Sequence, residues 1–178
     1  HGISLIELAQ EIVRREESKR DFVTGTPDLV FEDNALAVGA AGRFPLTDHA
    51  HGQIADRGGI PKRYYDRMRE ESPVLLANNV NHWFREQPER RMVRTLDGKA
   101  RAFLSDPYHR IDNEQIAEAA LPVLLESGGY GAVVSCCVTD SKLYLQALFP
   151  RLEGEIRRGD PVQGGVIISN GEIGNGAL

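Results

Sequence analysis

The chain has 178 residues, of which 21 are Lys or Arg and 26 are Asp or Glu, and its formal net charge is −5 at pH 7. This length suits one hydrophobic core of ordinary size with an appended helical part. Because the net charge is negative, the charge of the whole chain gives no argument for a nucleic-acid function. No apolar run approaches the roughly 20 residues that span a membrane, and no signal-peptide pattern is visible, so we expect a cytoplasmic protein without a membrane partner.

The charged residues are unevenly distributed. Residues 57–101 hold eleven Lys or Arg against six Asp or Glu, whereas the remaining residues hold ten against twenty. Two interpretations fit this basic middle: a local surface that faces anions, or an ordinary solvated charged face.

The only two cysteines are neighbours, Cys136 and Cys137. A disulfide between adjacent residues is strained, and in a strand the two side chains point to opposite faces. We therefore predict that both stay reduced, that at least one is buried, and that the compartment is reducing.

The N-terminal residues predict a helix and then a hairpin. Ser4 and Glu7 have capping-box spacing at the start of an apolar stripe, which predicts a helix over residues 3–21. Residues 22–28 carry Thr, Gly and Pro and are predicted to be a loop. Two short apolar runs within residues 29–38 predict a hairpin.

A loop at 39–45 is followed by two predicted helices within residues 47–71. Thr47 can cap the first helix, Gly58-Gly59 ends it, and Pro61 suits the first position of the second helix. The spacing of a small residue, a turn glycine and two apolar residues matches a helix-turn-helix at Ala55, Gly59, Tyr65 and Met68. Lys62 and Arg63 lie mostly on the opposite side of the second helix. A DNA-reading helix and an ordinary αα-hairpin both fit, and residues 74–87 predict a third helix.

Asp97-Gly98 lies between two β-like runs and predicts a two-residue hairpin turn. If Leu96 lies opposite Lys99, the register follows along both strands. It places Arg94 opposite Arg101 and Met92 opposite Phe103, on the face away from the core.

Two arginines directly opposite each other are unfavourable unless an anion lies between them. One alternative is a carboxylate elsewhere in the fold, for example from the acidic C-terminal half. The other is a nucleic-acid phosphate, gripped by the arginines with Arg90 and Lys99 beside them, while Phe103 stacks on a base.

The C-terminal half predicts one helix and several strands. A helix is expected at about 114–127, strands at 130–139 and 142–149, and a polar connector after Pro150. The apolar run Val166–Ser169 predicts an interior strand buried on both faces, followed by a turn or ordered loop over 170–176.

Four ordered stretches resemble a family known as phage/plasmid-like proteins, a domain of unknown function found on mobile elements. They are Arg94–Tyr108 (RTLDGKARAFLSDPY), Ile111–Asn113 (IDN), Gly159–Pro161 (GDP) and Ile167–Gly174 (IISNGEIG). The resemblance covers about residues 45–178, although this chain has Gly171 where the family usually has Ser. It implies a phage or plasmid setting, a DNA-metabolism neighbourhood and a chain truncated within its fold. It supplies no catalytic residues; the family-motif residues are Asp160, Ser169, Asn170, Glu172 and Gly174.

Catalytic chemistry has little support in the sequence. His49 and His51 are about 200° apart on a helix and cannot ligate one ion, so satisfied or exposed histidines are expected. Five carboxylates could in principle converge on a divalent metal, although turns and caps give most of them a structural role: Asp106, Asp112, Asp140, Asp160 and Glu172. We expect no cofactor and no resident metal.

We therefore expect an α+β fold in which an N-terminal helical part, residues 1–88, packs on a mainly antiparallel β-sheet formed by residues 89–178. That one sheet would contain the 90–105 hairpin, the 130–149 hairpin and the last strand. The favoured function is non-catalytic association with single- or double-stranded DNA of a mobile element. The alternatives are a metal-dependent enzyme on a phosphate-bearing substrate and a protein-interaction module that targets a host factor.

Overall fold

The structure, a computed structural model, describes residues 3–128, 133–157 and 159–174. The α+β class is confirmed, because these residues form five α-helices and three antiparallel sheets. The helices are α1 (Leu5–Ser18), α2 (Asp48–Arg57), α3 (Lys62–Glu71), α4 (Pro73–Glu86) and α5 (Asn113–Gly128). The strands are β1 (Arg20–Gly25), β2 (Leu29–Glu32), β3 (Ala35–Val38), β4 (Gly42–Pro45), β5 (Arg90–Leu96), β6 (Lys99–Ser105), β7 (Val133–Val138), β8 (Leu143–Arg157) and β9 (Asp160–Asn170).

The chain divides into two compact units. The central unit is Ser18–His109, and the terminal unit combines His1–Glu17 with Arg110–Leu178. The boundary predicted at residue 88 lies inside the central unit, between α4 and β5. The central unit carries 14 Lys or Arg and 13 Asp or Glu, and the terminal unit carries 7 and 13. The excess negative charge is therefore confined to the terminal unit.

The central unit contains two three-stranded sheets, ordered β1-β5-β6 and β2-β3-β4, together with α2, α3 and α4. Apolar residues from both sheets and all three helices form one core: Leu29, Phe31, Leu36, Ile54, Tyr65, Met68, Leu76, Val80, Phe84, Val93 and Phe103. The predicted hairpin at 29–38 and all three predicted helices are confirmed. The loops predicted at 22–28 and 39–45 are wrong, because β1 and β4 run through them. Both are short edge strands whose burial does not alternate cleanly, so they lack the period-2 signal of a half-buried strand.

The β5–β6 hairpin confirms the predicted turn but not the register beyond it. Asp97 and Gly98 both have positive φ, 49° and 73°, and Leu96 pairs with Lys99. The register then shifts: Thr95 pairs with Ala100 and Arg94 with Ala102, so that Arg101 is an extra, bulged residue. The prediction that Arg94 faces Arg101 is therefore wrong.

The same shift moves Met92 opposite Leu104 instead of Phe103. At the bulge, β6 is in contact with α2 and with the residue that caps it. The Thr47 backbone N–H donates to the Ala100 carbonyl at 3.0 Å, and Gln53 Oε1 accepts the Phe103 N–H at 2.7 Å. In the predicted register the Phe103 N–H would have paired with β5, and Gln53 satisfies this group instead.

The terminal unit packs α1 and α5 on one sheet ordered β7-β8-β9. Its core consists of Leu8, Ile12, Ala117, Cys136, Leu143 and Leu145. The capping box that starts α1 is confirmed: the Ser4 N–H donates to Glu7 Oε2 at 2.7 Å, and the Glu7 N–H donates to Ser4 Oγ at 3.2 Å. Hydrogen bonds from the Ser4 backbone N–H and from the Ser4 side chain to its carboxylate lower the pKa of Glu7.

Three predictions about the C-terminal half are wrong. The 90–105 hairpin does not share a sheet with β7–β9. The polar connector after Pro150 is strand, because β8 continues to Arg157 and turns at Gly159, whose φ is 86°. The run Val166–Ser169 is not an interior strand: β9 is an edge strand, and Ile167 is 68% exposed.

The turn predicted after β9 is confirmed through Gly174, with Glu172 and Ile173 buried. The last two residues of that predicted turn, 175 and 176, lie outside the described residues. So do residues 130–132 at the start of the strand that was predicted from residue 130.

Candidate functional site

The α2–α3 hairpin has the packing that its sequence pattern predicts. Ala55 is fully buried, the Ile60 N–H donates to its carbonyl at 2.9 Å, and Gly59 makes the turn with a φ of 61°. Tyr65 and Met68 are the two buried residues of α3. The small residue, the turn glycine and the two apolar residues of the predicted pattern therefore all take part in packing an αα-hairpin.

A buried His51–Tyr65 pair fixes α2 against α3. His51 Nδ1 lies 2.8 Å from the Tyr65 hydroxyl, and the His51 ring meets the rings of Tyr65 and Phe31 edge-on. Burial, reinforced by the nearby positive charge of Arg69, lowers the pKa of His51 to about 4. Burial also raises the pKa of Tyr65. At neutral pH both side chains are uncharged, and His51 is a satisfied core histidine, as expected.

The solvent-facing side of α3 is basic in its first turns. Lys62, Arg63 and Arg67 are exposed, and Tyr64 beside them is 48% exposed. Lys62 pairs with Asp66, and Arg67 pairs with Glu71 at 2.8 Å, both at i,i+4 spacing on the surface. Within the described residues Arg63 forms no ion pair. Acidic residues occupy the rest of this face: Asp66, Glu70 and Glu71.

The hairpin residues predicted to bind nucleic acid do not share one exposed face. Arg94 is 0% exposed and donates from Nε to Asp21 on β1 at 2.9 Å. Arg101 is also buried, and Phe103 is buried and stacks on Phe84 with the ring centroids 5.6 Å apart. For Arg94 the internal-carboxylate alternative therefore holds, although the carboxylate comes from β1 and not from the C-terminal half.

Arg90 and Lys99 remain exposed at opposite ends of the hairpin. Arg90 donates from Nε to Asp106 at 3.1 Å. Of the seven residues predicted to bind nucleic acid, four are thus at the surface, and only Lys62 and Arg63 are adjacent.

A second polar network lies in the same unit. Glu89 accepts hydrogen bonds from both Arg57 and Arg91, and the Arg91 guanidinium lies 5.5 Å from the centre of the Phe103 ring. Burial raises the pKa of Glu89, but the hydrogen bonds from Arg91 and Arg57 outweigh it, so the pKa is lowered overall. Both arginines therefore share one carboxylate within the unit.

The terminal unit brings two of the family-motif stretches together. Asn170 Nδ2 donates to the Ile111 carbonyl at 2.8 Å and to Asn113 Oδ1 at 2.9 Å. Glu172 Oε1 accepts the Asn113 N–H at 2.7 Å, and both residues are buried. The Glu172 carboxylate thus sits at the N-terminus of α5, where the helix dipole favours a negative charge. Sequence reasoning missed this cluster because its partners are 57 to 59 residues apart and no local signal joins them.

The other motif residues are elsewhere in the terminal unit. Asp160 is the first residue of β9, ten residues along the strand from Asn170, which is roughly 33 Å in an extended strand. Ser169 is exposed, and Gly174 has a φ of 78°. Within the described residues no three His, Cys, Asp or Glu side chains are grouped so that they could hold a metal ion.

Comparison with known proteins found no match: no family model fits the chain, and no curated protein and no solved structure is similar to it. Among the described residues, no helix is long and apolar enough to cross a membrane.

Proposed function

We propose that this protein binds nucleic acid through the exposed face of α3 and does so without catalysis, in the phage or plasmid setting implied by the sequence resemblance. One observation carries the proposal. The α2–α3 hairpin buries Tyr65 and Met68 and thereby fixes α3 with Lys62, Arg63 and Arg67 towards solvent. In a helix-turn-helix, the residues at the start of the second helix are the ones that contact base edges.

The electrostatics of α3 favour a phosphate at its first turns. Lys62 and Arg63 lie at the N-terminal end of the helix, where the dipole also attracts anions, and Arg67 follows one turn after Arg63. The surface ion pairs of Lys62 and Arg67 are each worth about 0.3–0.5 kcal/mol, so a phosphate can replace the carboxylates at small cost. Tyr64 adds an exposed ring that can contact a sugar or a base.

Binding should be measured by fluorescence anisotropy with labelled single- and double-stranded oligonucleotides over a range of salt concentrations. If all three cations contact phosphates, log K should fall against log[salt] with a slope of about −2.7 for a duplex and about −2.1 for a single strand. The double variant Lys62→Glu with Arg63→Glu should reduce the affinity at least tenfold and bring the slope close to −1.

The matched control is Arg90→Glu with Lys99→Glu. It makes the same change of charge in the same unit at the two hairpin cations that remain exposed. We expect this control to bind like the wild type. Loss of binding in the control, with binding retained in the α3 variant, would assign the site to the hairpin. Absence of wild-type binding at low salt would refute the nucleic-acid function itself.

A further inference from the structure

Two arginines of the central unit share one carboxylate. Arg57 is the last residue of α2 and Arg91 is the second residue of β5, and the Nε–H of each donates to Glu89. The side chains of Arg57, Arg91 and Glu89 are 15%, 17% and 34% exposed. Within the described residues, neither arginine has a second carboxylate at ion-pair distance. The three side chains therefore carry one positive charge in excess.

The Arg57–Glu89 ion pair is part of the fold of this unit. Arg57 Nη2 also donates to the Gln87 carbonyl at 2.9 Å. The Glu89 N–H donates to Thr26 Oγ1 at 3.2 Å, and the Glu89 carbonyl accepts the Thr26 N–H at 2.8 Å. The pair thus joins the end of α2 to the connection between α4 and β5, and the backbone on both sides of it is held in place.

Arg91 is the cation that this structural role leaves in excess. Its guanidinium lies 5.5 Å from the centre of the Phe103 ring, a contact that fixes the plane of the group. In the part of the chain that the structure describes, the two terminal nitrogens of Arg91 form no hydrogen bond, and neither of them is fully buried. They are therefore accessible donors on a cation whose position is already fixed. Two parallel N–H groups of a guanidinium match the spacing of two oxygens of a phosphate.

We propose that Arg91 and Arg57 form a phosphate-binding site, in which the terminal nitrogens of Arg91 donate to the phosphate oxygens and Arg57 supplies the second positive charge. The excess of one charge matches the single negative charge of each phosphate in a nucleic-acid backbone, and inorganic phosphate offers the same oxygens. The site is separate from the exposed face of α3 and does not rest on the function proposed for that face.

The surroundings of Arg57 strengthen the attraction for an anion and supply a reporter. Arg57 and Trp83 line the same small cavity, and its other walls are mainly apolar side chains: Ile54, Ile60, Val80 and Phe84. Apolar walls lower the local dielectric constant, so a charge beside them is attracted more strongly than in water. Trp83 is the only tryptophan of the chain, so its indole N–H gives one assignable signal next to the site.

The test is an NMR titration of the 15N-labelled chain with inorganic phosphate at constant ionic strength. We expect the Nε–H signals of Arg57 and Arg91 and the indole signal of Trp83 to shift and to saturate together. Arg91→Gln should weaken binding about tenfold, which is the effect of losing one charge-assisted hydrogen bond. The matched control Arg90→Gln removes the same charge from the preceding residue of β5, which pairs with Asp106, and should bind phosphate like the wild type.

A second variant should change the affinity in the opposite direction. Glu89→Gln keeps the size of the side chain and an oxygen that accepts hydrogen bonds, but it removes the negative charge that competes with phosphate. We expect it to bind phosphate more tightly than the wild type. A purely structural role of these side chains predicts no gain of this kind.

The source of the phosphate is decided by repeating the titration with an oligonucleotide that has hydroxyl groups at both ends and therefore contains only phosphodiesters. If Arg91→Gln weakens binding of both ligands, the site takes a backbone phosphate; if it weakens binding of inorganic phosphate alone, the site takes a free phosphate. The variant Lys62→Glu with Arg63→Glu should still bind inorganic phosphate. A wild type that binds inorganic phosphate and no oligonucleotide would refute the nucleic-acid function and support this site.

Three results would overturn the proposal. The first is a wild type whose Arg91 signal shifts with neither ligand, a measurement that needs no variant. The second is an Arg91→Gln variant that binds both ligands as tightly as the wild type does. The third is an equal loss of phosphate binding in Arg90→Gln, which would show a general response to surface charge and not a site at Arg91.

Discussion

Lowering the pH from 7 to 5 is expected to destabilise the central unit by about 2 kcal/mol through His51 alone. The His51 ring is buried against Tyr65 and Phe31, and in its neutral form Nδ1 can accept the Tyr65 hydroxyl proton at 2.8 Å. Protonation would place a charge in this apolar site, close to the positive charge of Arg69. Asp48 opposes the effect only in part, since its contribution to the pKa of His51 is smaller than those of burial and Arg69.

The sign and size follow from the two pKa values of His51. Its pKa is about 4 in the folded chain and 6.5 in the absence of such surroundings, so between these values the unfolded chain binds more protons. The stability contributed by neutral His51 is therefore fully present above about pH 6.5 and is lost as the pH falls towards 4. Linkage over the interval from pH 7 to pH 5 gives a loss of about 2 kcal/mol.

The assay is urea unfolding at both pH values, followed by the fluorescence of Trp83, the only tryptophan, which lies on α4 in the same unit. His51→Gln keeps a polar side chain but does not titrate, and the other titrating groups remain as they are in the wild type. We expect the variant to be less stable at pH 7, and to lose about 2 kcal/mol less than the wild type between pH 7 and pH 5.

Equal losses in the wild type and in His51→Gln would refute the reasoning. A measurement on the wild type alone gives a second check. In an NMR titration of the folded protein, the His51 ring protons should not shift above pH 5. A midpoint above pH 6 would show that burial does not hold this imidazole neutral.

Three further predictions concern single side chains. Asn81→Ala should lower the free energy of unfolding by about 1–3 kcal/mol, because it removes both hydrogen bonds to the Phe31 backbone. Urea unfolding followed by Trp fluorescence measures this loss, and an unchanged unfolding midpoint would contradict the prediction. Without denaturant a thiol reagent should modify the exposed Cys137 quickly. It should modify Cys136 only after the protein unfolds, because this side chain is buried and burial raises the pKa of its thiol. Equal rates for the two thiols in a mass-spectrometric time course would argue against this. Glu172→Ala should lower the free energy of unfolding by about 1–3 kcal/mol and speed amide hydrogen exchange in α5, while exchange in the central unit stays unchanged. Unaltered exchange in α5 would count against the capping role of Glu172.

Local signals were the part of the structure that the sequence predicted well. The Ser4–Glu7 capping box, the Thr47 cap and the Asp97-Gly98 turn are all confirmed. In each case the interacting groups are at most three residues apart, so the side-chain chemistry and the φ preference decide the outcome without help from the rest of the fold.

Long-range contacts explain the errors. The predicted register beyond the hairpin turn is wrong from Arg101 onwards, where β6 makes contacts with residues far away in sequence: Gln53, fifty residues before Phe103, accepts the N–H of that residue. The apolar run at Ile167 indicates a strand but not its place in the sheet. Which strand lies at an edge depends on sheet order, and no local pattern in the chain encodes that order.

The predicted pairing of Arg94 with Arg101 is wrong for a related reason. That residue 94 is an arginine does not indicate how deeply its side chain is buried. Its buried ion pair with Asp21 depends on β1, a strand that the sequence did not predict. Lys62 and Arg63 stayed at the surface because the helical period and the two buried residues of α3 fix which face is wet. Candidate binding residues on a helix were therefore easier to place than those on a hairpin whose partner strand was unknown.

The residues of the terminal turn have identities that the fold alone explains. Asn170 must supply two donor hydrogens, since the Ile111 carbonyl and Asn113 Oδ1 both accept from its amide nitrogen, and an ionised Asp would supply none. Glu172 provides a negative charge at the start of α5, and Gly174 adopts a φ of 78° that other residues rarely adopt. Because holding α5 against the end of β9 already requires this set, its presence is not evidence for catalysis, and α3 is the surface on which function should be sought.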